Sequence, residues 1–215
     1  IQAASHIVGL PIDTMIAEFG PGQFEINFHH TADVLAAADT AILFRRIVRG
    51  VAAEHNMEAT FMAKPYASHP GNGMHLHASV LDEKGENIFD ASDDEIAPTL
   101  RHAVAGVLNT MNEFQAIFAP HLNSYRRFFL GGFAPCAPDW GIDNRNAGIR
   151  LPEINGSSAR LEHRICGADV NPYLAFAAIL AGVLHGIEAQ EEPPLPLEDK
   201  NALPAVPLTL SLIHI

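Results

Sequence analysis

The stretch Lys64 to Ser79, KPYASHPGNGMHLHAS, constrains what this chain can fold into more than any other. Its second half, Met74-His75-Leu76-His77-Ala78-Ser79-Val80, alternates with a period of two, the repeat of a β-strand. A strand there puts His75, His77 and Ser79 on one face and Met74, Leu76, Ala78 and Val80 on the other. Just upstream, Pro70-Gly71-Asn72-Gly73 can bend the backbone into conformations that side chains would forbid. Two imidazoles and a hydroxyl beside a glycine-rich turn point to metal and phosphate chemistry. The rest of the chain must then supply acids and bases.

Upstream, Ile12 to Phe19 and Gln23 to Phe28 read as two strands joined by Gly20-Pro21-Gly22, a turn that brings Glu18 near Glu25. From Asp33 to His55, Val34, Leu35, Ala38, Ile42, Ile47 and Val51 fall at helical spacing, with Thr31 or Asp33 as the cap. Arg45, Arg46 and Arg49 are expected on the solvated face of this helix. Thr60 to Met62 reads as a short strand, and Leu81 to Gly85 as a hairpin turn ahead of an acidic loop from Asp90 to Glu95. Pro98 opens a second helix to about Phe118, and Asn171-Pro172 caps a third, nearly all-apolar helix from Tyr173 to about Ile187, expected to be buried. Between them lie the irregular stretch Pro120 to Asn146 and two strands, Gly148 to Leu151 and Ala159 to Ile165. Strands that neighbour one another in hairpin fashion, mixed with helices, predict an α+β fold rather than a doubly wound parallel sheet. Beyond Glu191, EEPPLPLEDK reads as an exposed linker.

Charge narrows the choice of partner. Thirteen Lys+Arg stand against 25 Asp+Glu, a formal net charge of −12, which argues against a grip on nucleic acid or an anionic membrane. No uninterrupted apolar run reaches the roughly 18 residues of a membrane span. Two cysteines, Cys136 and Cys166, make no disulfide framework, so a reducing cytoplasm is the expectation. The first residue is Ile and the last stretch is LTLSLIHI, from which both ends are expected to be cuts, with residues 189–215 a linker and cut C-terminal end.

Two constellations could carry chemistry. Glu18, Glu25 and Glu162, with His75, offer three carboxylates and an imidazole on what read as neighbouring strands. Such a set fits Mg²⁺ or Mn²⁺ better than zinc, although exposed strand acids, a structural histidine and a surface Glu162/Arg164 pair would explain the same residues. The second constellation is Arg126, Arg127, Arg145, Arg150, Arg160 and Arg164. Guanidinium forks match carboxylates and phosphates, so an anionic substrate accounts for them, as would structural ion pairs with the excess acids. Carboxylates and arginines together suggest nucleotide-dependent phosphoryl transfer, and no G-x-x-x-x-G-K-[ST] motif is present to make it a P-loop enzyme.

Six blocks in one order resemble the catalytic domain of the glutamine synthetase family over nearly the whole chain. They are Glu18 to Glu25 (EFGPGQFE), Lys64 to Ser79, Asn123-Ser124-Tyr125-Arg126-Arg127, Asn144 to Arg150 (NRNAGIR), Arg160 to Arg164 (RLEHR) and Asn171 to Phe176 (NPYLAF). The resemblance implies an α+β domain over 1–215, a largely antiparallel sheet flanked by helices. It also implies that Glu18 and Glu25 hold one divalent cation, and His75 and Glu162 a second. His77 and Ser79 would contact ATP, with Arg145, Arg150 and Arg160 around its phosphates and the transferred group. Arg127 and Arg164 would clamp the carboxylates of glutamate, and Gly71 would meet its amino group. The catalytic set would be Arg145, Glu162 and Arg164.

Two departures refine the expectation. Ammonia-using members carry a glutamate on the loop after N-S-Y-[KR]-R, where this chain has Phe133, in Gly131-Gly132-Phe133-Ala134-Pro135. A phenyl ring accepts no proton but packs a larger, less polar amine. The expected activity is therefore an ATP-dependent ligase joining glutamate to a polyamine or monoamine through a γ-glutamyl phosphate, as in γ-glutamylpolyamine synthetases. The alternatives are an ammonia-using glutamine synthetase and a catalytically silent relative. Secondly, the family's E-x-E strand and small N-terminal β-domain find no counterpart here. The chain is thus expected to be an N-terminally truncated piece with little turnover of its own, from a protein whose family forms homo-oligomeric rings.

Overall fold

The computed structural model describes residues 1–91, 95–129 and 132–198. Eleven residues open with a short helix, α1 (Gln2–Ile7), and lead into an antiparallel pair, β1 (Ile12–Ala17) and β2 (Phe24–Phe28). Ala17 lies opposite Phe24 and Ile16 opposite Glu25, as the Gly20-Pro21-Gly22 turn requires. A 21-residue helix, α2 (Val34–Glu54), follows; the Asp33 side chain caps it by accepting from the Leu35 and Ala36 amides.

The central strand, β3 (Leu76–Ala78), is shorter than its alternating pattern, but its sidedness is as read: Leu76 is buried while His75, His77 and Ser79 are exposed. It forms the edge of a four-stranded sheet in the order β3-β6-β5-β4, with β4 (Trp140–Ile142), β5 (Ile149–Glu153) and β6 (Arg160–His163). The β3/β6 and β5/β6 pairs are antiparallel and the β4/β5 pair is parallel. Pro152 sits where the β5/β6 register slips, a position at which a missing N–H costs no ladder bond. One face of the sheet, with Leu76, Ile149 and Leu161, packs into the core against α3 (Pro98–Met111) and α5 (Pro172–Ala189). Its other face carries His77, Glu162 and Arg150 side by side, since the ladder sets Glu162 opposite both.

The helices α3 and α5 touch backbone to backbone. A Cβ on Gly106 would lie 2.1 Å from the Gly182 carbonyl, and one on Gly186 2.0 Å from the His102 carbonyl. Among the described residues α5 is the one helix long and apolar enough to cross a membrane, and here it serves the core with Ala175, Ala178, Ile179 and Val183.

Several expectations are corrected. Only one face of α5 is buried; Leu174 and Leu184 are exposed. The second helix ends at Met111 and a separate turn, α4 (Gln115–Phe118), completes the run. Thr60 to Met62 is irregular and pairs with nothing in the sheets. The stretch Pro120 to Asn146 holds a 3₁₀ turn at Ser124–Arg127 and the strand β4, whose three residues are too few for a period to register. On α2, Leu35, Ile42 and Leu43 are exposed, with Ala38 and Phe44 the buried residues. Arg45 is not on a solvated face: it donates to the Val170 carbonyl (2.8 Å) and, with Arg46, Arg49 and Phe61, lines a cavity of about 600 Å³. The segment after Glu191 is without regular structure and exposed at Leu195, as expected, but is tied down as far as Leu197. There the Leu197 amide donates to the Trp140 carbonyl (2.7 Å), and the Trp140 indole donates to the Pro194 carbonyl (2.7 Å). The expected tail at 199–215 and the acidic positions 92–94 lie outside the described residues.

Candidate active site

The glycine-rich turn is fixed by its backbone. The Asn72 amide donates to the Ala63 carbonyl (2.7 Å), the Ala168 amide to the Asn72 carbonyl (2.9 Å) and the Met74 amide to the Cys166 carbonyl (3.0 Å). Gly71 must be glycine here: a Cβ would meet the Ala63 carbonyl at 2.6 Å and the Arg127 side chain at 2.8 Å. A Cβ on Gly73 would lie 3.1 Å from Arg127 Nη2 and 3.2 Å from His75 Nε2, so the turn, the guanidinium and the imidazole converge.

Arg127 is buried, donates through Nη1 to the Ile165 carbonyl (2.8 Å), and keeps a buried Nε with no partner. Burial pulls its pKa down to about 10, with Arg164 acting in the same direction, and it stays charged at neutral pH. Arg164, from the end of β6, is also buried and also has an unpartnered buried Nε. Unsatisfied buried donors are costly unless a ligand completes them, and two guanidiniums call for an anion.

Glu162 is the hub of the sheet's polar face and is almost wholly buried. Its Oε1 accepts from Arg164 Nη1 and lies 3.3 Å from His75 Nδ1 and 3.8 Å from His77 Nε2, while its Oε2 accepts from Arg150 Nη1 (2.9 Å). Burial would raise its pKa, but the His75 hydrogen bond and the charge of Arg164 outweigh that and hold it well below the usual carboxylate range. Arg150 also forks onto Asp143 (2.6 and 3.0 Å), a partner that no sequence pattern marks. Arg160 donates through Nε to His77 Nδ1 (3.2 Å). Arg145 is exposed yet close enough to disfavour the charge on Arg164. Ser79 lies just past β3, exposed on the His75 and His77 side.

The strands expected to carry the metal set are not all neighbours. Glu18 and Glu25 share a face of the β1/β2 pair, but that pair is a sheet of its own rather than a neighbour of β3 and β6. Glu18 Oε2 accepts from the Phe19 amide (3.3 Å) and Glu25 Oε1 from Asn27 (3.1 Å). Among the described residues, no group of three or more His, Cys, Asp and Glu side chains is placed to hold a metal ion. The two halves meet through Gln23, whose Nε2 donates to the Gly71 carbonyl (3.0 Å) and to Asn72 Oδ1 (2.7 Å). Gln23 belongs to the EFGPGQFE block, and its place in a tight turn between two acids is the sequence signal for this tie. Phe133 sits on a loop whose ring rests 4.8 Å from that of Phe19.

A model of the glutamine synthetase catalytic domain matches residues 1–207. The chain is 45% identical over 200 residues to the γ-glutamylputrescine synthetase PuuA of Escherichia coli, an alignment spanning 93% of this chain and 42% of that protein. It is 43% identical to a glutamine synthetase of Halobacterium salinarum, over 86% of this chain and 41% of that one. Among solved structures, a GmaS/ADP complex superposes with a TM-score of 0.82 at 32% identity, covering 91% of this chain and 46% of its own. The chain thus spans about two fifths of the length of the curated relatives it matches.

Proposed function

The chain belongs to the glutamine synthetase family, and we propose that the whole protein is an ATP-dependent ligase joining the γ-carboxylate of glutamate to an organic amine. A γ-carboxylate oxygen attacks the γ-phosphorus of ATP and ADP leaves, giving a γ-glutamyl phosphate. The amine nitrogen then attacks the acyl carbon, the C–O bond to phosphorus breaks, phosphate departs and the nitrogen gives up a proton. Arg127 and Arg164, with their unpartnered Nε groups, are assigned to the carboxylates of glutamate, and the crowded turn at Gly71 to its amino group. Arg145, Arg150 and Arg160 offset charge on the moving phosphoryl group, and His77 and Ser79 contact the nucleotide. Glu162 holds Arg150 and Arg164 in place for these roles.

Mg²⁺ or Mn²⁺ enters as a family requirement. We assign Glu18 with Glu25, and His75 with Glu162, as contributors of ligands; neither pair closes a site within the described residues. We also place the protein in the cytoplasm, where ATP and glutamate are at hand, as a ring of identical subunits.

The observation that carries the choice of amine is Phe133, whose ring packs on Phe19 where ammonia-using members carry a glutamate. The relative that makes γ-glutamylputrescine, at 45% identity, supports the same choice. The glutamine synthetase at 43% identity favours the ammonia-using alternative. Whole protein supplied with ATP, Mg²⁺ and glutamate decides between them. Phosphate release should have a kcat/KM for a primary alkylamine or diamine at least about tenfold above that for ammonium, with Phe133→Glu moving the preference toward ammonium. Ammonium preferred by both forms makes the protein a glutamine synthetase.

A further inference from the structure

We propose that Phe19 is a second specificity-determining residue, forming with Phe133 an aromatic wall that takes the alkyl chain of a primary amine. This inference rests on the amine-ligase reading and names the partner that Phe133 needs. The two rings come from segments far apart in sequence, with centroids 4.8 Å apart and planes tilted by 37°, a separation within the range of interacting aromatic pairs. Phe19 is 77% exposed and Phe133 63% exposed despite that contact, so both rings keep broad apolar surface for something else. Single exposed phenylalanines are commonplace, whereas two in contact make a surface with a preference for apolar matter.

Both rings are held from behind. Phe19 rides on a turn closed by Glu18 N to the Gln23 carbonyl (2.9 Å) and Gln23 N to the Gly20 carbonyl (3.0 Å). The Gln23 side chain accepts from the Gly20 amide (3.0 Å) and reaches the Gly71 carbonyl and Asn72, so the turn is keyed to the bend that abuts Arg127. On the other side, Gly132 N donates to the Phe129 carbonyl (3.0 Å), and the Phe129 ring lies 5.0 Å from the buried Lys64 ammonium. Asn123 grips both backbone atoms of Lys64 (2.8 and 2.9 Å). The wall is therefore fixed relative to the glutamate clamp by contacts on both flanks.

A methylene chain laid on the two rings removes apolar surface from water on both partners. Ammonium has the charge without the chain, and each methylene laid on the rings should improve kcat/KM about threefold to fourfold.

The test uses the whole protein and a series from methylamine to n-butylamine, read as phosphate release with saturating ATP and glutamate. The unmodified protein should show a steady rise in kcat/KM with chain length. Phe19→Ala and Phe133→Ala should each flatten that rise, the double variant should flatten it little further, and Phe19→Leu should retain most of it. A slope unchanged in Phe19→Ala overturns the proposal, including the case where that variant melts lower or dissociates because another segment or subunit covers the rings. Absence of phosphate release with every amine overturns the ligase reading and this proposal with it; release with a slope indifferent to Phe19 overturns this proposal alone.

Discussion

At the scale of single residues, the site is built from buried charge. Glu162 stays ionised in the interior because two guanidiniums and two imidazoles surround it, and its position opposite both His77 and Arg150 follows from ladder register alone. Its neighbour in sequence points the other way. His163 is fully buried on the core face against Phe118 (4.4 Å), with its Nε2 unpartnered and Nδ1 3.6 Å from the Cys166 sulfur. Burial lowers its pKa to about 3, against an ordinary value of 6.5. Folded protein therefore binds fewer protons here than unfolded chain between these values, so stability is complete above pH 6.5 and is lost as pH falls toward 3. The loss attributable to His163 should be on the order of 2 kcal/mol by pH 5. Urea midpoints between pH 7 and 5 measure it, and His163→Leu should flatten the slope by about one proton. An unchanged slope in that variant would place the acid sensitivity elsewhere, for instance in His77, whose pKa burial lowers to about 4 with the same sign.

At the scale of elements, the molecule depends on how closely α3 and α5 approach. Gly106, Gly182 and Gly186 remove the side chains that would hold the two helices apart. Gly106→Ala gains roughly 1 kcal/mol of helix propensity but must push a methyl into the Gly182 and Gly186 backbone, which costs more. A net loss of about 2 kcal/mol and a fall in melting temperature of several degrees are expected; an equal or higher melting temperature would mean that the helices separate freely. This contact was not legible in the sequence, because an apolar helix pattern does not say which face meets what. What was legible was whatever repeats or caps: the alternation around His75, the Asp33 and Asn171 caps, and the strand bearing Glu162. Not legible were β4, held by a parallel pairing that no local signal announces, and the exposure of Val34, Leu35 and Ile42 on α2, since periodicity does not say how much of a stripe is covered. In the site, residue types were legible and distances were not. Glu18 and Glu25 fell on a separate sheet, and Asp143 and Phe19 gained roles only through contacts across the fold.

For the molecule as a whole, an acidic chain gathers Arg127, Arg145, Arg150, Arg160 and Arg164 around the polar face of one sheet, where they would draw in anions. Gln23 ties the two-stranded sheet to the turn beside Arg127, bringing the acidic and aromatic side of the site to its basic side. Under the proposed function, glutamate is activated as an acyl phosphate and handed to an amine. Glutamate labelled with ¹⁸O in its γ-carboxylate tests it most directly, using whole protein, ATP, Mg²⁺ and n-butylamine. Each phosphate released should carry one ¹⁸O atom and be matched by one γ-glutamyl butylamide. Phosphate released without label, or amide formed without labelled phosphate, would contradict it.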